Sequence, residues 1–196
     1  MIKLLKYRAA LIGVLFGLFG GGLANLLAIE EMALYYTSLA TMIALVVNLL
    51  VSFLLKGKWN LKIRNQLKYI SVGLFFSLIV ILITHTKFFL EGTFSYSDFD
   101  NNTSYHIKGS EYTQLAKKFK LENPYIESDN DLIREGFGSP EEKGKVWTQD
   151  SINQSWLKLL ITYSLMVVFF VGLISILIEI LMSKYEKTTR KSIESD

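Results

Sequence analysis

Cysteine is absent from all 196 residues. Its absence excludes a disulfide framework, a thiol nucleophile and any thiolate metal site. Histidine occurs only as His85 and His106, too few imidazoles for a protein-only zinc site of the usual kind. The chain contains no HExxH, no GxSxG and no phosphate-cradling glycine loop followed by Lys-Ser/Thr, so the common hydrolase, metalloprotease and nucleotide-binding chemistries have no anchor. The carboxylates Asp129, Asp131, Glu141 and Glu142 lack the spacing of an EF-hand loop and read as a solvated acidic surface. No catalytic residue, cofactor or bound metal is expected.

Proline is nearly absent too, with only Pro124 and Pro140, and little therefore interrupts long helices. What the chain has in quantity is apolar sequence: 51% of residues are hydrophobic and the mean hydropathy is +0.31. The apolar residues gather in runs at about 9–29, 32–55, 69–90 and 157–182, almost free of charge. A hydrocarbon core about 30 Å thick needs about 20 helical residues, so each run is long enough to cross. The expected fold is a membrane all-α protein: four transmembrane helices with a small α+β extracytoplasmic domain inserted between the third and fourth. Residues 1–90 hold the first three spans and a basic loop at 56–68. Residues 91–155 form the insertion, 156–183 the last span and 184–196 a tail.

The formal net charge of +3 becomes informative when sorted by position. Lys3, Lys6 and Arg8 precede the first span without an acid, and Lys56, Lys58, Lys62, Arg64 and Lys68 lie between the second and third, again without one. Lys184, Lys187, Arg190 and Lys191 follow the fourth. Residues 91–155 carry seven basic and twelve acidic groups. Short loops rich in Lys and Arg stay cytoplasmic, which puts both termini inside and the insertion outside, in the plasma (inner) membrane. The basic segments suit anionic lipid. No one segment couples a basic run to several stacking aromatics, so direct nucleic-acid binding is not expected. A cleavable signal over residues 1–28 is disfavoured by the length of its apolar stretch. The Asn-x-Ser/Thr sequons at Asn101, Asn102 and Asn153 read as chance in a Lys-, Ile- and Asn-rich chain of bacterial type.

Only Glu30 and Glu31 separate the first two spans, which forces a tight antiparallel hairpin of helices. In the basic loop, Trp59, Ile63, Leu67 and Ile70 recur at helical spacing. Either a separate amphipathic helix lies in the headgroups with Trp59 as anchor, or the third span simply extends inwards. In the insertion, Phe94 and Tyr96 alternate with serines, and Tyr105 and Ile107 follow Asp100-Asn101-Asn102, which predicts a β-hairpin. A helix capped by Ser110 is expected through Tyr112, Leu115, Ala116 and Phe119, ending at Asn123-Pro124. A shorter one is expected over 131–135, a loop over 136–145, and Thr148 as the cap of the last helix.

Gly13, Gly17 and Gly21 stand at intervals of four on one face of the first span. This doubled GxxxG lets helix backbones approach closely in a solvent where apolar side chains gain nothing by clustering. The face fits packing against the second span or contact between subunits of a homo-oligomer. A local break at the triple glycine 20–22 would instead expose carbonyls, which membranes tolerate only around a cavity or within protein.

Polar groups inside the spans are few. At helical rise, Asn25 and His85 both fall about 24 Å from the inner edge, with Asn48 and Glu179 in the inner leaflet. An ionisable residue in a span marks a candidate functional position, although Glu179 is also near enough to the interface to pair with Lys184. A histidine and a glutamate in opposite leaflets make no proton relay unaided.

Four spans, a cytoplasmic N-terminus and an outer insertion before the last span resemble the small membrane subunits of bacterial anti-phage systems of the Kiwa type. The resemblance covers the whole chain as architecture and carries no residue role. It implies a tetra-helical protomer that oligomerises, detects phage disturbance of the envelope and works with a soluble cytoplasmic protein. The residues themselves suggest a non-enzymatic membrane sensor or scaffold, or alternatively a channel lined by Asn25, Ser38, Thr41, Asn48 or Glu179.

Overall fold

A computed structural model of the chain describes residues 29–55, 60–97 and 103–193. The first span, with Gly13, Gly17, Gly21 and Asn25, lies outside the described residues, as do Lys56, Lys58 and Trp59.

Three described helices are long and apolar enough to cross a membrane, which is consistent with an integral membrane protein. A 3-10 turn, Glu30–Met32, leads into α1, Ala33–Leu55. The second long helix, α2, runs unbroken from Leu61 to Gly92. It starts where it does because Asn60 caps it: the Asn60 side-chain oxygen accepts the Ile63 N–H at 2.8 Å, one of the orphan donors of a helix start. Of the two readings of the basic loop, residues 61–68 follow the second, as a continuation of the long apolar helix rather than a separate one. Its start is therefore at 61 rather than 69.

A two-stranded antiparallel sheet follows, β1 (Thr93–Ser97) and β2 (Thr103–Ile107). The register pairs Phe94 with His106 and Ser95 with Tyr105, so His106 shares a face with Phe94 and is only 9% exposed. Helix α3, Gln114–Glu122, is capped by Thr113, whose hydroxyl accepts the Ala116 N–H at 3.2 Å. Ser110 does not serve, because Tyr112 is drawn into an extended bridge with Trp147 and delays the helix start. Leu115, expected on the buried face of this helix, is 56% exposed, whereas Ala116 is fully buried.

The short helix α4, Asp129–Asp131, starts on a Ser128 cap and continues as a π-helical turn, Leu132–Phe137. Gly138 closes that turn at φ 89°, a left-handed conformation that glycine adopts without steric cost. The segment expected as a loop instead holds a 3-10 turn at Pro140–Glu142 and the short helix α5, Lys143–Val146. The last helix, α6, is continuous from Gln149 to Ile193. Nothing in its backbone marks the boundary expected at 155/156.

The chain divides into two compact units, whose described parts are 38–82 with 164–193, and 29–37 with 83–163. The second, mixed unit is wider than the expected insertion, since it takes in ends of all three long helices. Its core gathers Ile29, Phe94, Ile107, Leu132, Ile133, Val146, Trp147, Leu159 and Tyr163. Burial of this kind supplies what absent disulfides cannot.

Candidate functional site

In the mixed unit, charged side chains from separate elements meet around Glu31, two residues before α1. Lys143, on α5, donates a hydrogen bond to Glu31 Oε2. His106 Nδ1, on β2, stands 3.4 Å from Glu31 Oε1. Glu31 is thus clasped from both sides by groups far away in sequence. Its carboxyl feels burial, which raises its pKa, but the hydrogen bonds from His106 and Lys143 and their charges outweigh that and hold it below 4.5. His106 is oriented by Ser104, whose Oγ lies 2.9 Å from Nε2, and by Phe94, with ring centroids 5.6 Å apart.

These three residues, with Pro140 and Glu141, line a recess of about 460 Å³. Glu141 receives a hydrogen bond from Ser139. That bond and the Glu141 backbone lower its carboxyl pKa, against an opposing effect of burial. The recess therefore mixes two carboxylates, one ammonium and one imidazole. Among the described residues no group of three metal-ligating side chains converges, and Lys143 supplies the positive charge beside Glu31. Chemically this is a charge-sensitive clasp: protonating Glu31 removes the negative charge that Lys143 and His106 hold.

The other sequence-derived candidates lie elsewhere. In the unit of residues 38–82 and 164–193, Ser175 Oγ reaches Asn48 Oδ1 at 3.4 Å, and Ser52 Oγ donates to Glu179 Oε1 at 3.2 Å. Asn48 and Ser52 are one turn apart on α1, as are Ser175 and Glu179 on α6, so the two helices run parallel here and are laced by two rungs. Glu179 is 9% exposed, and the Ser52 hydroxyl is among its partners. Close packing continues above, where a methyl at Gly172 would meet Leu74 Cδ1 at 3.7 Å and Val47 Cγ1 at 3.9 Å. Lys62 and Lys68 are exposed and Arg64 half-buried on the first turns of α2.

His85 is fully buried, with Nδ1 2.7 Å from Thr162 Oγ1. The sequence singled out His85 but not its neighbours Tyr36, Thr162 and Tyr163. Likewise it singled out neither Glu31, read only as turn, nor Lys143. No local signal could have joined Glu31 to Lys143, because 112 residues separate them. No protein-family model, curated protein or solved structure matches the chain.

Proposed function

We propose that the chain is a non-enzymatic, oligomeric integral membrane subunit that senses or scaffolds at the cell envelope and couples to a soluble cytoplasmic partner. In this reading four helices cross the inner membrane, both termini are cytoplasmic and the α+β insertion faces outward. The observation that carries it is the clasp on Glu31. Whatever displaces the hairpin residue His106 or the α5 residue Lys143 acts on a side chain only two positions from the start of α1. A disturbance of the insertion is thereby transmitted to a membrane helix without an intervening flexible linker.

The pore alternative draws less support. Asn48 bonds to Ser175 and Glu179 to Ser52 inside one chain, so two of the polar groups a conducting path would use are engaged in helix packing. Membrane helices joined by such bonds suit a scaffold whose helices tilt together.

Gentle crosslinking in the native host, followed by extraction in mild detergent, tests the proposal. A defined oligomer carrying a soluble protein is expected, and loss of that protein when Lys62, Arg64 and Lys68 become glutamine. A monomer, or an oligomer without a partner, would sink it. The architectural resemblance extends the proposal to anti-phage defence, tested by phage plating efficiency with and without the gene.

The clasp also predicts a pH dependence. A carboxyl whose folded pKa is depressed contributes stability above its unfolded pKa and loses it as pH falls through the folded value. Glu31 is depressed, so Glu31→Gln is expected to destabilise the mixed unit by about 1 kcal/mol at pH 7, the scale of a partly exposed ion pair. Wild type and variant should converge below pH 4.5. Thermal melts of both in nanodiscs at pH 7 and pH 3 check this; an equal difference at both pH values would refute it.

A further inference from the structure

Three buried polar atoms without a hydrogen-bond partner sit in one cluster of the mixed unit: Tyr36 Oη, His85 Nε2 and Tyr163 Oη. Their residues are 1%, 0% and 0% exposed. Tyr36 and Tyr163 stack with ring centroids 4.0 Å apart, and the imidazole lies 6.4 Å from the first and 6.2 Å from the second. Each of the three long helices contributes one of these residues.

The neighbouring hydrogen bonds fix what the cluster requires. Thr162 has one hydroxyl proton, and its Oγ1 lies 2.8 Å from Lys158 O and 3.2 Å from Leu159 O. A carbonyl can only accept, so the threonine proton goes to the preceding turn, the usual back-bond of a helical threonine. Thr162 Oγ1 therefore accepts from His85, which makes Nδ1 the protonated nitrogen. Nε2 is then a bare lone pair, an acceptor that needs a donor. The two phenols each have a proton to give and lone pairs to fill. A buried polar atom left unpaired bears the full cost of its lost hydration, and three such atoms on three adjoining residues depart from the native pattern.

We propose that Tyr36, His85 and Tyr163 form a binding site for internal water, and that the bound water donates to Nε2 of an Nδ1-protonated, neutral His85. Water is the occupant because the three atoms are buried away from bulk solvent and mix donors with acceptors. An internal water is held by 2–4 such partners, typically about three. The water completes a polar node that pins α1, α2 and α6 together at one level. The described groups that face His85 are Thr162 and the phenols Tyr36 and Tyr163, with no carboxylate, lysine or arginine among them.

The test is solid-state NMR on the full chain in lipid bilayers with 15N-labelled histidine, His85→Phe serving to assign the signals. Three results are expected. Nδ1 carries the proton and Nε2 does not. Magnetisation selected on water reaches Nε2 within milliseconds. Tyr36→Phe or Tyr163→Phe shifts the Nε2 resonance. A proton on Nε2 would overturn the tautomer and with it the donor role of the water. A correct tautomer without transfer from water would also overturn the proposal, since a protein group then supplies the donor. If either phenylalanine variant fails to fold, the wild-type tautomer and water transfer still decide the question.

Discussion

Exchanging Trp147 for alanine is expected to cost the mixed unit about 3–5 kcal/mol, the range of a buried aromatic truncated in a core. The indole is 1% exposed. It lies 5.2 Å from the Phe94 ring of β1 and stacks on Tyr112 at 6.2 Å. The backbone on either side is pinned as well: Thr113 N–H donates to Val146 O at 2.8 Å, and Thr148 N–H to Glu111 O at 2.9 Å. Trp147 thus joins the hairpin, the entry to α3 and the entry to α6. Domain stabilities run to about 5–15 kcal/mol, so this loss removes a large share in a unit without disulfides. Hydrogen exchange in nanodiscs is the readout. Protection of β1, β2 and α3 should collapse, while residues 38–55 of α1 keep theirs. Trp147→Phe should restore most of it. Unchanged protection in the alanine variant would show that the unit is held elsewhere.

Gly109→Ala is the second large effect, and it acts by crowding. A methyl at Gly109 would come 2.0 Å from Ser151 Oγ and 2.7 Å from Trp147 Cβ. Neither neighbour can step aside freely. Ser151 is 4% exposed and its hydroxyl donates to Thr148 O at 2.9 Å. Trp147 Cβ is fixed by the bridge just described. Overpacking a tight core typically costs about 1–3 kcal/mol, and the larger valine should cost more than alanine. Removing the serine oxygen in Gly109→Ala/Ser151→Ala should recover part of the loss, because the contact with Trp147 Cβ persists. Gly144→Ala, where a methyl meets nothing within 4 Å, is the matched control and should be neutral. Melting midpoints with Trp emission report all four chains. A Gly109→Ala chain as stable as wild type would mean that the backbone relaxes there at no cost.

The apolar runs at 32–55, 69–90 and 157–182 announced three long helices because spanning length and lack of charge are properties of a contiguous segment. The hairpin was legible for a similar reason: alternation and turn residues are local. Helix ends were less so. Asn60 could have been recognised as a cap three residues before Ile63, which would have moved the start of α2 to 61. The α3 cap could not be read, because Thr113 displaced Ser110 only through a bridge to Trp147, a partner far along the chain.

The sequence by itself thus determined the class of the protein, its long helices, the hairpin and the absence of any familiar catalytic signature, all of which follow from composition and local periodicity. Tertiary structure alone decided that Glu31 is clasped by His106 and Lys143. It also decided that Glu179 accepts from Ser52, and that Tyr36, His85 and Tyr163 meet. Each is a pairing across tens to more than a hundred residues. A polar or charged side chain has many equivalent partners in the sequence, and only the packing of the apolar helices determines which one comes within reach.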